Sequence, residues 1–383
     1  MVNNVNKSEC CGCGACVNIC PEKCITLEMD EMGFRYPYVN RDICVSCGMC
    51  DKVCPMKSCS KNGSERDLYA AYIKRDEILS TSSSGGVFWA IVEYVINDCK
   101  GVVYGVTLAE GLCVKHERAE SLNECRAFRG SKYLQSDVGL CYQMVKKDLE
   151  EERVVLFSGT PCQIAGLYSF LQKDYHNLIT LGVICHGVPS QRIFEKYISE
   201  KEAAKRKKIV GIQWRDKRFG WKPNHISLRY DDGTEETSIS QENPYQKGFL
   251  DNVYLRPSCY TCSFARLPRV EDISLADFWG YDGKLDNQNK GISLVVISNC
   301  KAKKVMENVQ KDLIYTSVDE EYAKARSRHL WQHPKDNPDK EDVCRKVEKL
   351  SFHKINRRYI NRSLGRRVFF KIKKIGRSFW IRN

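Results

Sequence analysis

No run in this 383-residue sequence is apolar for long enough to cross a bilayer, and its first residues hold no apolar signal-peptide core. That excludes a helical membrane protein and points to a cytoplasmic chain. Two glycine-rich fingerprints are also missing, G-x-G-x-x-G and the P-loop G-x4-G-K-[ST], so any nucleotide has to be held by other loops. Acid is missing from one stretch. From Ser351 to Asn383 there are eleven Lys or Arg and neither Asp nor Glu. Most of the formal charge of +13 therefore lies in this tail, and the body before it is nearly neutral, at about +2.

Cysteine, by contrast, is abundant at 21 residues. In a secreted protein that would suggest disulfides, but the spacing here is of another kind. Cys10, Cys13, Cys16 and Cys20 are followed by Pro21, and Cys44, Cys47, Cys50 and Cys54 by Pro55. Both copies read C-x2-C-x2-C-x3-C-P, 34 positions apart. This is the bacterial dicluster ferredoxin run, which holds two 4Fe–4S clusters, the fourth cysteine of each run ligating the other cluster. One cluster then takes Cys10, Cys13, Cys16 and Cys54, and the other Cys44, Cys47, Cys50 and Cys20. Zinc explains paired CxxC units but not two such four-cysteine runs. Gly12, Gly14 and Gly48 clear side chains from the loops, leaving backbone N–H groups free to donate to sulfur. Between the runs, Ile25–Leu27 and Phe34–Tyr38 flank a polar turn and predict a small hairpin over the clusters. Cys11, Cys24 and Cys59 fall outside the pattern and read as small core residues.

The remaining chain changes texture. Lys61–Asp67 is a polar linker after a ferredoxin domain over residues 1–60. Strand-like runs at Val102–Leu108, Arg153–Phe157 and Leu178–Cys185 alternate with helical segments after Gly86, after Gln163 and from Pro189 to about Lys207. More strands follow at Ile209–Trp214, His225–Tyr230, Ile273–Ala276 and Ile292–Ile297, then a helix over Lys301–Leu313 and others to about Leu350. The fold class expected is α+β / α/β: the small dicluster module, then a mixed α/β body with some parallel pairing over residues 68–190 and 191–350. Residues 351–383 form a fourth unit, where Ile360, Leu364, Val368, Ile372, Ile375 and Phe379 recur at helical steps beside a basic face. Such a helix suits an anionic membrane surface, which would hold the protein at the inner membrane. Docking on the body or on an acidic partner are the other readings. No module for reading specific nucleic acid accompanies the charge.

A second chemical region lies in the body. Cys162 and Cys185 each follow a predicted strand, and Cys259 and Cys262 form a CxxC pair. Four cysteines so placed complete a third 4Fe–4S site, or form a redox disulfide, a zinc site or separate core thiols; spacing leaves all four open. Ser84, Gly85 and Gly86 before a helix, and Gly159–Pro161 after a strand, each present N–H groups to an anion, and Lys132 adds a cation at the Gly130–Ser136 turn. Beside a ferredoxin module these loops make a flavin attractive, because single electrons need a centre that pairs them.

In order along the chain come Ser83–Gly86, Gly130–Tyr133, Gly159–Gln163, Cys185–Pro189, Arg256-x2-Cys259-x2-Cys262 and Ala276–Gly280. This series resembles the coenzyme F420 hydrogenase/dehydrogenase beta-subunit family over about residues 69–311, here fused to a dicluster ferredoxin. The resemblance implies an FAD-containing oxidoreductase with an iron–sulfur cluster near the flavin. It implies Cys162, Cys185, Cys259 and Cys262 as ligands of a third cluster, and Ser84, Gly85, Gly86, Lys132 and Thr160 as flavin contacts. By position, in the loop after Cys185, His186 is a proton donor or a structural histidine, and Asp277 orients flavin or substrate or caps a turn after a strand.

The fused module and the basic tail set this chain apart from the deazaflavin-using subunits. The function expected is an iron–sulfur flavoprotein oxidoreductase, taking electrons from a redox protein such as ferredoxin and passing them to F420 or another organic acceptor. The alternative is a non-catalytic electron-transfer subunit of a larger redox complex.

Overall fold

The computed structural model describes Val2, residues 6–57 and residues 66–361. Two antiparallel strands lie between the cysteine runs, β1 (Ile25–Met29) and β2 (Arg35–Val39), with Ile25 opposite Val39. Asp30 closes the turn by accepting from the N–H groups of Met32 and Phe34. This is the expected hairpin. Each run enters a short helix, Ala15–Ile19 or Met49–Lys52, from a glycine in the same left-handed backbone, Gly14 at φ 81° and Gly48 at φ 74°. Only glycine takes that conformation without steric cost. The sequence repeat is therefore a repeat of structure.

The body carries eleven further strands. They are β3 (Asp67–Ile73), β4 (Val102–Ala109), β5 (Cys113–Ala119), β6 (Val155–Gly159), β7 (Leu178–Val183), β8 (Ile209–Gln213), β9 (His225–Tyr230), β10 (Glu235–Ile239), β11 (Ile273–Asp277), β12 (Ser293–Ile297) and β13 (Leu313–Ser317). Eight of them form one sheet in the order β13-β3-β12-β11-β7-β6-β4-β5. Pairing is parallel from β4 through β6 and β7 to β11, and antiparallel outward on both sides. The boundary expected at residue 190 runs through this sheet, which takes strands from both halves. β8, β9 and β10 make a separate antiparallel sheet.

Both faces of the large sheet are covered, and its strands show it. β6 and β12 are buried at every residue, the near-continuous apolar pattern of a strand with a layer on each side. Val103, Leu156, Val295 and Ile297 face the helices Val87–Glu93 and Cys300–Val309. Val102, Tyr104, Val155 and Phe157 face the helices Cys141–Glu150 and Pro161–Leu171. Cys11, Cys13 and Ala15 of the ferredoxin module belong to this second core.

Polar contacts fix the module there. The Tyr142 hydroxyl lies 2.8 Å from the carbonyl of Cys13 and 2.7 Å from that of Gln163. Asn18 donates to the Gly139 carbonyl, Gln143 donates to that of Asn18, and Arg35 of β2 pairs with Asp137. Gly166 allows the approach: a Cβ there would lie 2.9 Å from Cys13 Cβ and Sγ.

Residues 351–361, the start of the expected basic tail, are packed on the body. Phe352 lies 5.1 Å from the Tyr197 ring, and Ile355 and Ile360 are buried. Ile360 therefore serves the core rather than an outward apolar stripe. Residues 362–383 of that expectation, like Cys59, lie outside the described residues. Among the described residues no helix is long and apolar enough to cross a membrane.

Replacing Tyr142 by Phe removes a buried hydroxyl at the seam and with it the one proton shared between the Cys13 and Gln163 carbonyls. Chemical denaturation should show a loss of about 1–3 kcal/mol, with earlier release of iron than in the wild type.

Candidate redox centre

Repeat cysteines of the two runs lie beside one another. One small cavity is lined by Cys44, Cys47 and Cys50 of the second run together with Cys20 of the first. On the other side, burial pushes the Cys16 thiol up to about 12, with Cys10 and Cys54 adding to the effect, and Cys54 is raised by burial and by Cys10. Equivalent positions differ in exposure: Cys13 is buried against the body, whereas Cys47 is exposed.

Two cysteines outside the pattern, Cys11 and Cys24, are buried core residues as expected, and each also touches a repeat cysteine. Cys24 Sγ lies 3.4 Å from Cys20 Sγ and also reaches Cys44. The Cys13 thiol and burial hold Cys11 well above the usual thiol range, and Cys11 also touches Cys162. Cys11 thus spans from the first run to the body.

There the thiols of Cys162, Cys185, Cys259 and Cys262 lie near enough to oppose one another's ionisation. Burial pushes Cys185 up to about 12, helped by Cys162 and Cys262. Burial and the Cys185, Cys262 and Cys162 thiols drive Cys259 well upward. Cys262 rises to about 11 by burial and Cys162. Cys162 starts the helix Pro161–Leu171, whose cap Thr160 has Oγ1 3.3 Å from its sulfur, and Cys259 accepts from the Val188 N–H at 3.4 Å. Buried thiols that oppose one another's ionisation become thiolates only beside added positive charge, which metal supplies. Among the described residues no three His, Cys, Asp or Glu side chains converge as the ligands of one metal ion do.

Cys185 also lines a cavity of about 890 Å³ at the carboxyl ends of β6, β7 and β11. In α/β sheets this is where ligands gather. Three loops wall it. Ser83 Oγ accepts from the Ser131 N–H at 2.7 Å, tying the Ser82–Gly86 loop to the Gly130–Lys132 loop, and Gly159–Thr160 forms the third. Arg215, buried, sends Nη1 to Asp277 Oδ2 at 2.5 Å and Nη2 to Asp277 Oδ1 at 2.9 Å. Its guanidinium lies 4.4 Å from the Trp279 ring, which stacks on Trp221 at 4.4 Å. Burial lowers Lys132 and Lys217 to about 7; they donate to backbone carbonyls, Lys132 to Ala127 at 2.9 Å and Lys217 to Ser84 at 2.7 Å.

Two family models match the chain. One describes the C terminus of the coenzyme F420 hydrogenase/dehydrogenase beta subunit and matches residues 152–321; the other, a 4Fe-4S dicluster domain, matches residues 9–58. Residues 152–321 thus carry the C-terminal part of a coenzyme F420 hydrogenase/dehydrogenase beta subunit, and residues 9–58 a dicluster ferredoxin domain. Among solved structures it is similar to a chain of the xenon-derivatised F420-reducing [NiFe] hydrogenase complex from Methanosarcina barkeri. Identity is 18%, coverage is 77% of this chain and 91% of that chain, and the TM-score is 0.47. No curated protein matches.

Against the residues expected from that family, Ser84, Gly86, Lys132, Thr160, His186 and Asp277 all line the one cavity. Gly85 does not. Its N–H donates to Ser293 Oγ at 3.0 Å, and a Cβ there would lie 2.3 Å from the Ala71 carbonyl oxygen, so it serves close packing against β3. Asp277 is held by Arg215 as an ion pair and is no free acid. His186 has both ring nitrogens engaged: Nε2 is 3.2 Å from the Phe249 carbonyl and Nδ1 is 3.1 Å from His329 Nε2. A carbonyl can only accept, so Nε2 carries the proton and Nδ1 accepts from His329. That leaves His329 Nδ1 as the buried nitrogen with no partner, lining the same cavity. Arg215, Lys217 and His329 have no site signature in the sequence beyond a basic Arg215–Arg218 stretch after a strand.

His116 lies beneath the Gly159 turn, its Nε2 3.1 Å from the Ser158 carbonyl, and burial lowers it to about 4. The unfolded chain takes up this proton near 6.5, so stability should fall as pH drops from about 6.5 to 4. In His116→Gln the unfolding free energy measured across that window should vary less with pH.

Proposed function

We propose that this protein is an iron–sulfur flavoprotein oxidoreductase. It takes electrons from a cytoplasmic ferredoxin-type donor at the dicluster module and delivers them to an organic acceptor, F420 or another, at the large cavity. One observation carries the reading: Cys185 stands both among the four body thiols and in the cavity wall. The four thiols fit a third 4Fe–4S cluster, and the serine- and glycine-lined cavity, with cationic Arg215 and two buried lysines nearby, fits FAD. Iron–sulfur clusters carry single electrons, and flavin joins one-electron to two-electron chemistry.

In this reading Cys162, Cys185, Cys259 and Cys262 ligate the third cluster. Cys10, Cys13, Cys16 and Cys54 ligate one dicluster centre, and Cys44, Cys47, Cys50 and Cys20 the other. Ser84, Gly86, Lys132 and Thr160 contact the flavin. Asp277 fixes the Arg215 fork, and the His186–His329 pair forms part of the wall of the acceptor site.

Chain purified without oxygen should hold about twelve irons and one FAD, and Cys259→Ser about eight irons with the dicluster centres intact. Eight irons in both proteins would remove the third site. Turnover of an organic acceptor by the isolated chain separates the enzyme from the alternative, an electron-transfer subunit whose substrate site lies on a partner; the match to a beta-subunit family favours that second reading.

The segment 362–383 has eight Lys or Arg and no acid, and we assign it to an anionic membrane surface. Deleting residues 362–383 should abolish sedimentation with phosphatidylserine vesicles and leave iron content unchanged. Equal sedimentation of both forms would remove this assignment.

A further inference from the structure

Three arginines are buried among the described residues, Arg215, Arg256 and Arg269. Arg215 pairs with Asp277, and Arg269 with Glu271 at 3.0 Å. Arg256 has no carboxylate. Its Nε donates to the Cys10 carbonyl at 2.8 Å, Nη1 to Gln135 Oε1 at 2.9 Å, and Nη2 to the Arg35 carbonyl at 2.8 Å. Nη2 also stands 3.8 Å from Cys10 Sγ. The ionisable groups facing it are Tyr36 and the thiols of Cys10, Cys11, Cys259 and Cys162. Aromatic rings close the remaining sides, Tyr36 at 4.4 Å and Phe34 at 5.7 Å.

A buried cation is strongly unfavourable unless an anion compensates it. Every acceptor around Arg256 is neutral unless cysteines are thiolates on metal. The loop is shaped to the guanidinium as well: a Cβ at Gly12, whose φ is +67°, would lie 2.9 Å from Nη1. The backbone of Arg256 reaches the other way, its carbonyl accepting from the Cys259 N–H at 2.9 Å.

We propose that the anion compensated by Arg256 is the dicluster centre held by Cys10, and that Arg256 is a positioning residue setting its reduction potential. Taking one electron from a low-potential donor makes a thiolate-ligated cluster more negative, with no bond broken and no proton needed. A fixed cation 3.8 Å from a ligand sulfur stabilises the reduced form more than the oxidised one. The centre beside Arg256 is thereby the easier of the two to reduce, which draws electrons from the exposed run toward the body. This rests on the dicluster match alone and stands whether or not the body holds a third cluster or flavin.

The test is an EPR-monitored dithionite titration of the full chain, purified without oxygen, with iron and sulfide counted per chain. In Arg256→Gln one dicluster midpoint should fall until the reduced-to-oxidised ratio at the wild-type midpoint drops at least tenfold, which is about 59 mV for one electron. The other dicluster midpoint should stay, and Arg256→Lys should stay within that tenfold. Gln135→Glu keeps the guanidinium but sets a carboxylate against Nη1, and should lower the same midpoint. It decides the matter if Arg256→Gln fails to retain iron. Unchanged midpoints at full iron content, or an equal fall in Arg256→Lys, would overturn the proposal. The wild-type iron count answers the third-site question separately.

Discussion

Parallel pairing of β6 with β7, and of β7 with β11, decides where everything else sits. Three consecutive parallel strands leave their carboxyl ends on one edge, so the loops beginning at Gly159, Ile184 and Phe278 open toward one space. The thiols of Cys162 and Cys185 come from the first two of these loops. A parallel strand needs cover on both faces, and that demand supplies the rest. One face takes two helices. The other takes two more, and the ferredoxin module leans on them through Cys13, Gly166 and Tyr142.

Charge in the interior follows a consistent rule with one departure. Asp277 neutralises Arg215 and Glu271 neutralises Arg269. Lys132 and Lys217 bond to carbonyls, and burial lowers them to about 7, within reach of neutrality at ordinary pH. A guanidinium cannot take that last route, because it stays protonated at any ordinary pH. Arg256 is therefore the interior position where charge needs metal-bound sulfur nearby.

Much of this was legible in the sequence because it is local. The cysteine runs, the hairpin and the buried strands β4, β6, β7, β11 and β12 announce themselves by spacing or by apolar content. Three strands of the large sheet did not, and neither did β10 of the small one. β3 begins inside what reads as a polar linker. β5 and β13 are the two edges of the sheet, and their alternating charged or polar residues carry little apolar signal. The site divides in the same way. Loops with glycine and serine could be found, but partners far apart in sequence could not. Asp277 reads as a residue orienting flavin or substrate, but its Arg215 partner stands 62 positions away, and His186 reads as a donor until His329 is seen, 143 positions away. Gly85 misled because a glycine cleared for a phosphate looks identical to one cleared for a neighbouring strand.

The two cysteine runs began as copies, and the body has made them unequal. Gly14 lies within reach of Val138, and Gly12 of Arg256, whereas a Cβ at Gly48 would meet nothing within 4 Å. Cys13 is sealed in while its counterpart Cys47 is open to water. A symmetric pair of carriers can be entered from either end and traversed either way. This pair has an insulated end and a bare one, so a passing redox protein finds a single door. Packing alone thus selects the face at which the module is met, and only a difference in potential can add a direction.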